Sequence, residues 1–381
     1  MIKIFSKLIV IFICLILLTS CWDYKDIDQR CIVHSVGVDR VDGKIEFSGE
    51  ITQIKSSKGG GGLKTEKAEA TSVYKLLSYG KNFEQARINY DSVNPFPVFL
   101  GATRLVVFGT NFAKEGIEPY LNRIDKFYDY RKTILIVITR ERPRKLFDIP
   151  VKKDISMGFL VEDILKSLIE KGRALNINVG KILSYMALKD VGYLLPYIGI
   201  EEGSVQYLGL AVMKDSKLIG TIEQENTSGI LYLLADKPKL TEVIILPNEE
   251  KNKYVIITSL RKRKIKTEYK NNKVIINVNL DLEAQLQYQY YIASINDKKI
   301  KMLEDKLSKK IKNYIVNNFK TSQKEFECDY FQFVKYFKAD NPKIYKDINW
   351  KKEYLNSDIN VNVRVKIKNL GFIDPNAKSK Y

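Results

Sequence analysis

The chain has 381 residues, of which 45% are hydrophobic and 28% charged, with a formal net charge of +18. That balance supports packed cores and excludes a disordered tail, and the length fits two or three domains. A single histidine and four cysteines leave no paired ligand spacing for structural zinc.

Lys3 and Lys7 precede an apolar run over 8–18, the basic and hydrophobic regions of a secretory signal peptide. The run is shorter than the roughly 20 apolar residues that cross a bilayer. It ends on Leu18-Thr19-Ser20-Cys21, a lipobox, in which small residues fit the peptidase before a thiol that becomes a thioether. The sequence predicts a signal peptide over 1–20, a lipid on Cys21 and a mature chain starting there, held stably because more than one acyl chain is attached. Loss of Lys3 and Lys7 leaves a charge of +16. Outside the cytoplasmic membrane such a surface meets anionic headgroups and wall polymers rather than nucleic acid, unless its lysines simply scatter over every face. The one compact basic cluster is Arg261-Lys262-Arg263-Lys264. Cys14 leaves with the signal, so Cys31 and Cys328 remain; they read as two buried thiols, with a bridge between them as the alternative.

The pattern next predicts a hairpin, 32–41 and 44–54, turning on Asp42-Gly43. Gly59 to Gly62 lacks the Lys-Ser/Thr of a phosphate loop and reads as a surface loop. Val73, Leu76, Leu77 and Ala86 give helical spacing over 71–88, interrupted near Gly80. Strands at 104–108 and 133–139 flank a helix at 117–127, and helices follow at Pro143, 155–171 and 179–187. A hairpin at 205–214 and 217–223, a short helix at 227–235 and strands at 242–246 and 254–260 come next. Val274, Ile276, Val278, Leu280, Leu282, Ala284 and Leu286 alternate with mostly polar residues, as do Ile359, Val361, Val363, Val365 and Ile367. Between them Ile300, Leu303, Leu307, Ile311, Ile315 and Phe319 mark an amphipathic helix. Two further helices are predicted at 328–338 and 342–347. The fold class is therefore α+β, a mixed α/β multidomain lipoprotein ectodomain with largely antiparallel or mixed sheets and a C-terminal sheet packed on a long helix. The expected units are 21–204, a small β-rich middle domain at 205–265, and 266–381.

No catalytic constellation emerges. His34 sits inside a predicted strand with no nucleophile motif to serve, and pairs such as Glu201-Glu202 and Glu249-Glu250 are adjacent and loop-like, unlike a glycosidase dyad. The residues read as noncatalytic, with no cofactor and no metal.

Cys21-Trp22-Asp23-Tyr24-Lys25-Asp26-Ile27 resembles the mature start of the Ger(x)C family, the lipoprotein C subunits of endospore germinant receptors. The likeness continues through Val36-Gly37-Val38-Asp39, then Gly109, Ala113, Gly116-Ile117, Arg123 and Arg131, and the block from Gly209 to Gly220 with Glu225-Asn226-Thr227-Ser228-Gly229 after it. Cys328-Asp329-Tyr330-Phe331, Pro342, Trp350 and the strand leading to Gly371 complete it. Ser20, Asp26, Met213 and Thr221 depart from the family's usual residues. The resemblance implies a noncatalytic subunit on the outer face of the spore inner membrane, anchored by its N-terminal lipid and assembled with A and B receptor subunits. The competing class is a solute-binding lipoprotein of a membrane transporter, which would show two repeated open-sheet lobes.

Overall fold

The computed structural model describes residues 29–53, 73–127, 130–151, 154–188, 191–247 and 249–369. The signal peptide, Leu18, Thr19, Ser20 and Cys21 of the lipobox, and the 59–62 glycine run lie outside the described residues.

Strand β1 (Cys31–Val41) turns into β2 (Lys44–Gln53) as expected, with Asp42 at φ 49° and Gly43 at φ 72°. Two positive φ values are what a two-residue turn needs to match strand twist. The helix expected over 71–88 is half strand: β3 (Val73–Gly80) pairs antiparallel with β2, and only α1 (Phe83–Asp91) is helical. The spacing of Val73, Leu76 and Leu77 suits either period. Pairing with β2 decides it, burying Leu76, Ser78 and Gly80 alternately. Asn82 then opens α1 by accepting the Gln85 N–H at 2.8 Å.

The short β4 (Val98–Phe99) runs beside the start of β1, and β5 (Leu105–Gly109) and β6 (Leu135–Thr139) are buried at every position. Strands so completely apolar belong in a parallel sheet covered on both faces. The covering helices are α2 (Thr110–Glu115), α3 (Glu118–Lys126), α4 (Pro143–Phe147), α5 (Met157–Glu170) and α6 (Val179–Met186). Strand β7 (Tyr193–Glu201), absent from the sequence reading, then leads to β8 (Ser204–Lys214) and β9 (Lys217–Glu223). The sheet order is β3-β2-β1-β5-β6-β7-β8-β9, parallel from β1 to β7 and antiparallel outside.

Helix α7 (Ser228–Leu234) joins this sheet to a second, of order β10-β11-β12-β13. Its strands are β10 (Lys239–Ile245), β11 (Lys253–Lys270), β12 (Lys273–Gln289) and β13 (Asp358–Asn369). Helix α8 (Asp297–Lys324) lies against it, burying Leu303, Leu307, Ile311, Ile315 and Phe319. This is the expected stripe on the expected sheet. The helix also reaches both sheet edges. Lys306 and Lys310 donate to the β10 carbonyls of Ile245 and Val243, and Glu304 accepts the Ile367 N–H of β13 at 2.9 Å.

The chain is α+β and multidomain, but residues 205–265 do not form a sheet of their own. Strands β8 and β9 complete the first sheet, whereas β10 and β11 begin the second. One apolar core runs through both sheets, because α7 presents Gly229 to the backbone of Tyr314 on α8 and Asn318 donates to the Asn226 carbonyl at 2.9 Å. The helix expected at 328–338 begins only at Phe333, since Gln332 at φ 62° turns the chain first; α9 (Phe333–Asp340), α10 (Pro342–Asp347) and α11 (Trp350–Leu355) follow.

Candidate functional site

His34 occupies a bulge in β1, where the register against β2 shifts between Val33 and Ser35. Its ring is buried with its edge on Phe159, 5.2 Å between centroids, and Nδ1 has no hydrogen-bond partner. Burial lowers the imidazole pKa; the Glu50 charge pulls it back up, and Arg104 depresses it further. A triad does not assemble around this histidine. The neighbouring Ser35 hydroxyl donates to Glu50 at 3.0 Å, and the Glu50 carboxylate also accepts the Met157 and Gly158 N–H groups at 3.0 and 2.9 Å. Glu50 thus caps the positive end of α5 from a distant strand, a structural task for a buried carboxylate.

The block carrying the C-terminal resemblance is also structural. Asp329 is 2% exposed and accepts the Phe333 and Val334 N–H groups at 3.0 and 2.9 Å and the Trp350 indole N–H at 3.2 Å. Burial raises its carboxyl to about 6 against the pull of those donors. Tyr330 Oη donates to the Asn318 carbonyl at 2.8 Å, fixing the segment to α8. Cys328 and Cys31 are both buried free thiols, which settles the question of a bridge between them.

The basic cluster at 261–264 is not one patch. A bulge after Leu260 re-aims the strand, and Arg263 turns inward to donate to the Tyr232 and Ala235 carbonyls at 3.0 Å each, closing the C-terminal end of α7. Lys262 and Lys264 stand on the outer face of the second sheet, opposite α8. That face is a polar ladder: Asn360 and Asn362 donate to Asn277 and Asn279 at 3.0 and 3.3 Å, and Arg364 sits 3.8 Å from Asp281. At the ladder's far end Tyr288 and Tyr290 stack at 6.1 Å, with the Lys253 ammonium 5.4 Å over the Tyr290 ring. Tyr291, 61% exposed, and Ile292 extend this ridge. These are large apolar side chains left in solvent on one short segment, 288–292. The sequence reading missed it; the run Tyr288 to Ile292, placed just where the alternation stops, was the available signal.

Among the described residues no helix is long and apolar enough to cross a membrane, and no three His, Cys, Asp or Glu side chains are grouped to hold a metal ion.

Comparison with known proteins adds the missing context. Residues 23–200 match the family model described as the spore germination protein N-terminal domain, and 208–371 match that described as spore germination B3/GerAC like, C-terminal. Spore germination protein B3 of Bacillus subtilis (strain 168) is 20% identical over 388 residues, covering 97% of this chain and 98% of that protein. Spore germination protein A3 of the same organism is 22% identical over 281 residues, 70% of each chain, and spore germination protein KC is 22% identical over 370 residues, 89% of each. The crystal structure of the GerBC protein superposes with a TM-score of 0.56 at 14% identity, over 87% of this chain and 96% of that one, a likeness of fold. With both halves matched in order by its models, the chain belongs to the Ger(x)C family of spore germination proteins.

Proposed function

We propose that this protein is the noncatalytic, lipid-anchored C subunit of a nutrient germinant receptor, assembled with A and B subunits on the outer face of the spore inner membrane. The observation that carries the reading is the pair of family matches in series, 23–200 and 208–371, the first beginning at Asp23, two residues after the lipobox cysteine. The geometry agrees with a docking role, since Ser35 and Glu50 serve the fold and the exposed tyrosine ridge offers contact area. A transporter's solute-binding lipoprotein would need a second lobe like the first. Here a four-stranded sheet with α8 on one face stands instead.

The anchor rests on one atom, the Cys21 sulfur. Cys21→Ala should therefore yield an unprocessed precursor that takes up no labelled fatty acid. Label retained on the variant would sink the assignment.

Chemistry at His34 is the second point to test. His34→Ala removes a buried ring and should lower the urea midpoint, yet germination per molecule of receptor should stay at the wild-type rate. A variant of normal abundance that cannot support germination would turn the reading toward catalysis.

A further inference from the structure

The outer face of the second sheet ends in an apolar corner. Strand pairing sets Val243, Val255 and Tyr288 side by side across β10, β11 and β12. In the next row Ile245 lies beside Lys253, whose carbonyl accepts the Tyr290 N–H at 3.0 Å. The alternate β10 residues Leu240, Glu242 and Ile244 are buried, so Val243 and Ile245 point away from α8 and are exposed. Tyr288, Tyr290, Tyr291 and Ile292 are each more than half exposed. The corner is braced. The Asn252 side chain accepts the Tyr291 N–H and donates to the Tyr291 carbonyl, both at 3.0 Å, and Gln289 donates to the Ala293 carbonyl at 2.8 Å.

Its unpaired charges have one sign. Lys253 holds its ammonium 5.4 Å over the Tyr290 ring, in the middle of the corner, and Lys306 reaches the β10 edge from α8 to donate to the Ile245 carbonyl. Among the described residues neither lysine has an ion-pair partner. By contrast Glu242 is matched by Lys310 at 3.0 Å and Glu249 by Lys299 at 2.8 Å. Nearby in the chain Glu250 stands next to Lys251 and Asp297 next to Lys298. A protein interface is rich in tyrosine but poor in lysine. The headgroup zone of an anionic bilayer takes both, since tyrosine rings sit at that level and lysine stems lie on apolar surface with the ammonium among the phosphates.

We propose that this corner contacts an anionic membrane surface, with Tyr288, Tyr290, Tyr291 and Ile292 entering the headgroup zone and Lys253 and Lys306 on lipid phosphates. The inference rests on the proposed function only in that an anchored chain meets a bilayer.

Hydroxyl-radical footprinting of the full chain, reconstituted into vesicles of phosphatidylglycerol or of phosphatidylcholine, reads the tyrosines singly by mass spectrometry. Tyr336, exposed on α9, is the internal reference. Relative to it, Tyr288, Tyr290 and Tyr291 should oxidise at least about fivefold more slowly on the anionic vesicles, the gain that one lysine near such a surface brings. Lys253→Gln combined with Lys306→Gln should erase that difference. Should the double variant fail to fold by circular dichroism, added salt takes its place, because screening should bring the wild-type rate on anionic vesicles up to the neutral one. Equal rates on the two vesicle types would overturn the proposal. So would protection that follows protein density rather than lipid charge, the mark of a second copy on this face. The intact mass of the same sample shows whether Cys21 carries acyl chains. An acylated chain with unprotected tyrosines sinks the contact alone, and a protected chain without acyl groups sinks only the anchor.

Discussion

Asp329→Ala is expected to destabilise the folded chain by about 3 to 5 kcal/mol, because three buried N–H donors lose their common acceptor and each unsatisfied group costs about 1 to 3 kcal/mol. The wild-type residue also imposes a pH dependence. Its carboxyl is raised from 3.8 to about 6 in the folded chain, first by burial, and is held down only in part by the Val334, Phe333 and Trp350 donors. Between those values the native state keeps a proton that the unfolded chain releases, so this group's contribution is complete below about pH 4 and is lost as pH rises through about 6. The difference corresponds to about 3 kcal/mol. Asp329→Asn carries no titrating proton, so the pH profile of its urea midpoint should lack the wild type's decline between about pH 4 and 6. Parallel wild-type and Asn profiles would show that another group titrates there.

Leu307→Ala should cost about 2 to 5 kcal/mol, the range for truncating a core leucine whose surroundings relax only in part. Leu307 is 0% exposed and sits at the middle of the α8 stripe, with Leu303 and Ile311 one turn to either side. Urea unfolding of the purified protein measures it. A midpoint equal to that of the wild type would mean the stripe packs on nothing, contrary to the structure.

The elements that were legible were those with one strong period. Val274 to Leu286 and Ile359 to Ile367 alternate because one face meets α8, and Leu303 to Phe319 step by three or four because one stripe meets the sheet. Elements whose period is ambiguous were not legible. Residues 73–80 became a strand because β2 offers its edge, a long-range fact that local spacing does not contain. Tyr193–Glu201 was overlooked because a strand covered on both faces shows no alternation. Within the middle unit expected at 205–265, β9 and β10 follow one another in the chain but add to different sheets, and only pairing reveals that partition. At the level of sites, the lipid attachment expected at Cys21 lies outside the described residues. The acceptor cluster at Asp329 could not be read from the sequence, since folding draws the N–H groups of Phe333, Val334 and Trp350 to one carboxylate. Arg263 shows the converse, a member of a basic run that folding removes from the surface.

Helix α8 has a consequence for how the protein can associate. A strand at the border of a sheet is a template for another chain, a hazard that grows with local concentration. Lys306 and Lys310 occupy carbonyls of β10, Glu304 occupies an amide of β13, and these are the two border strands of the second sheet. These contacts take up part of the hydrogen-bonding edge of each border strand and so weaken it as a template for β-augmentation. A side-chain surface at this end of the molecule lets specificity be tuned residue by residue, at a lower risk of polymerisation than a bare strand edge carries.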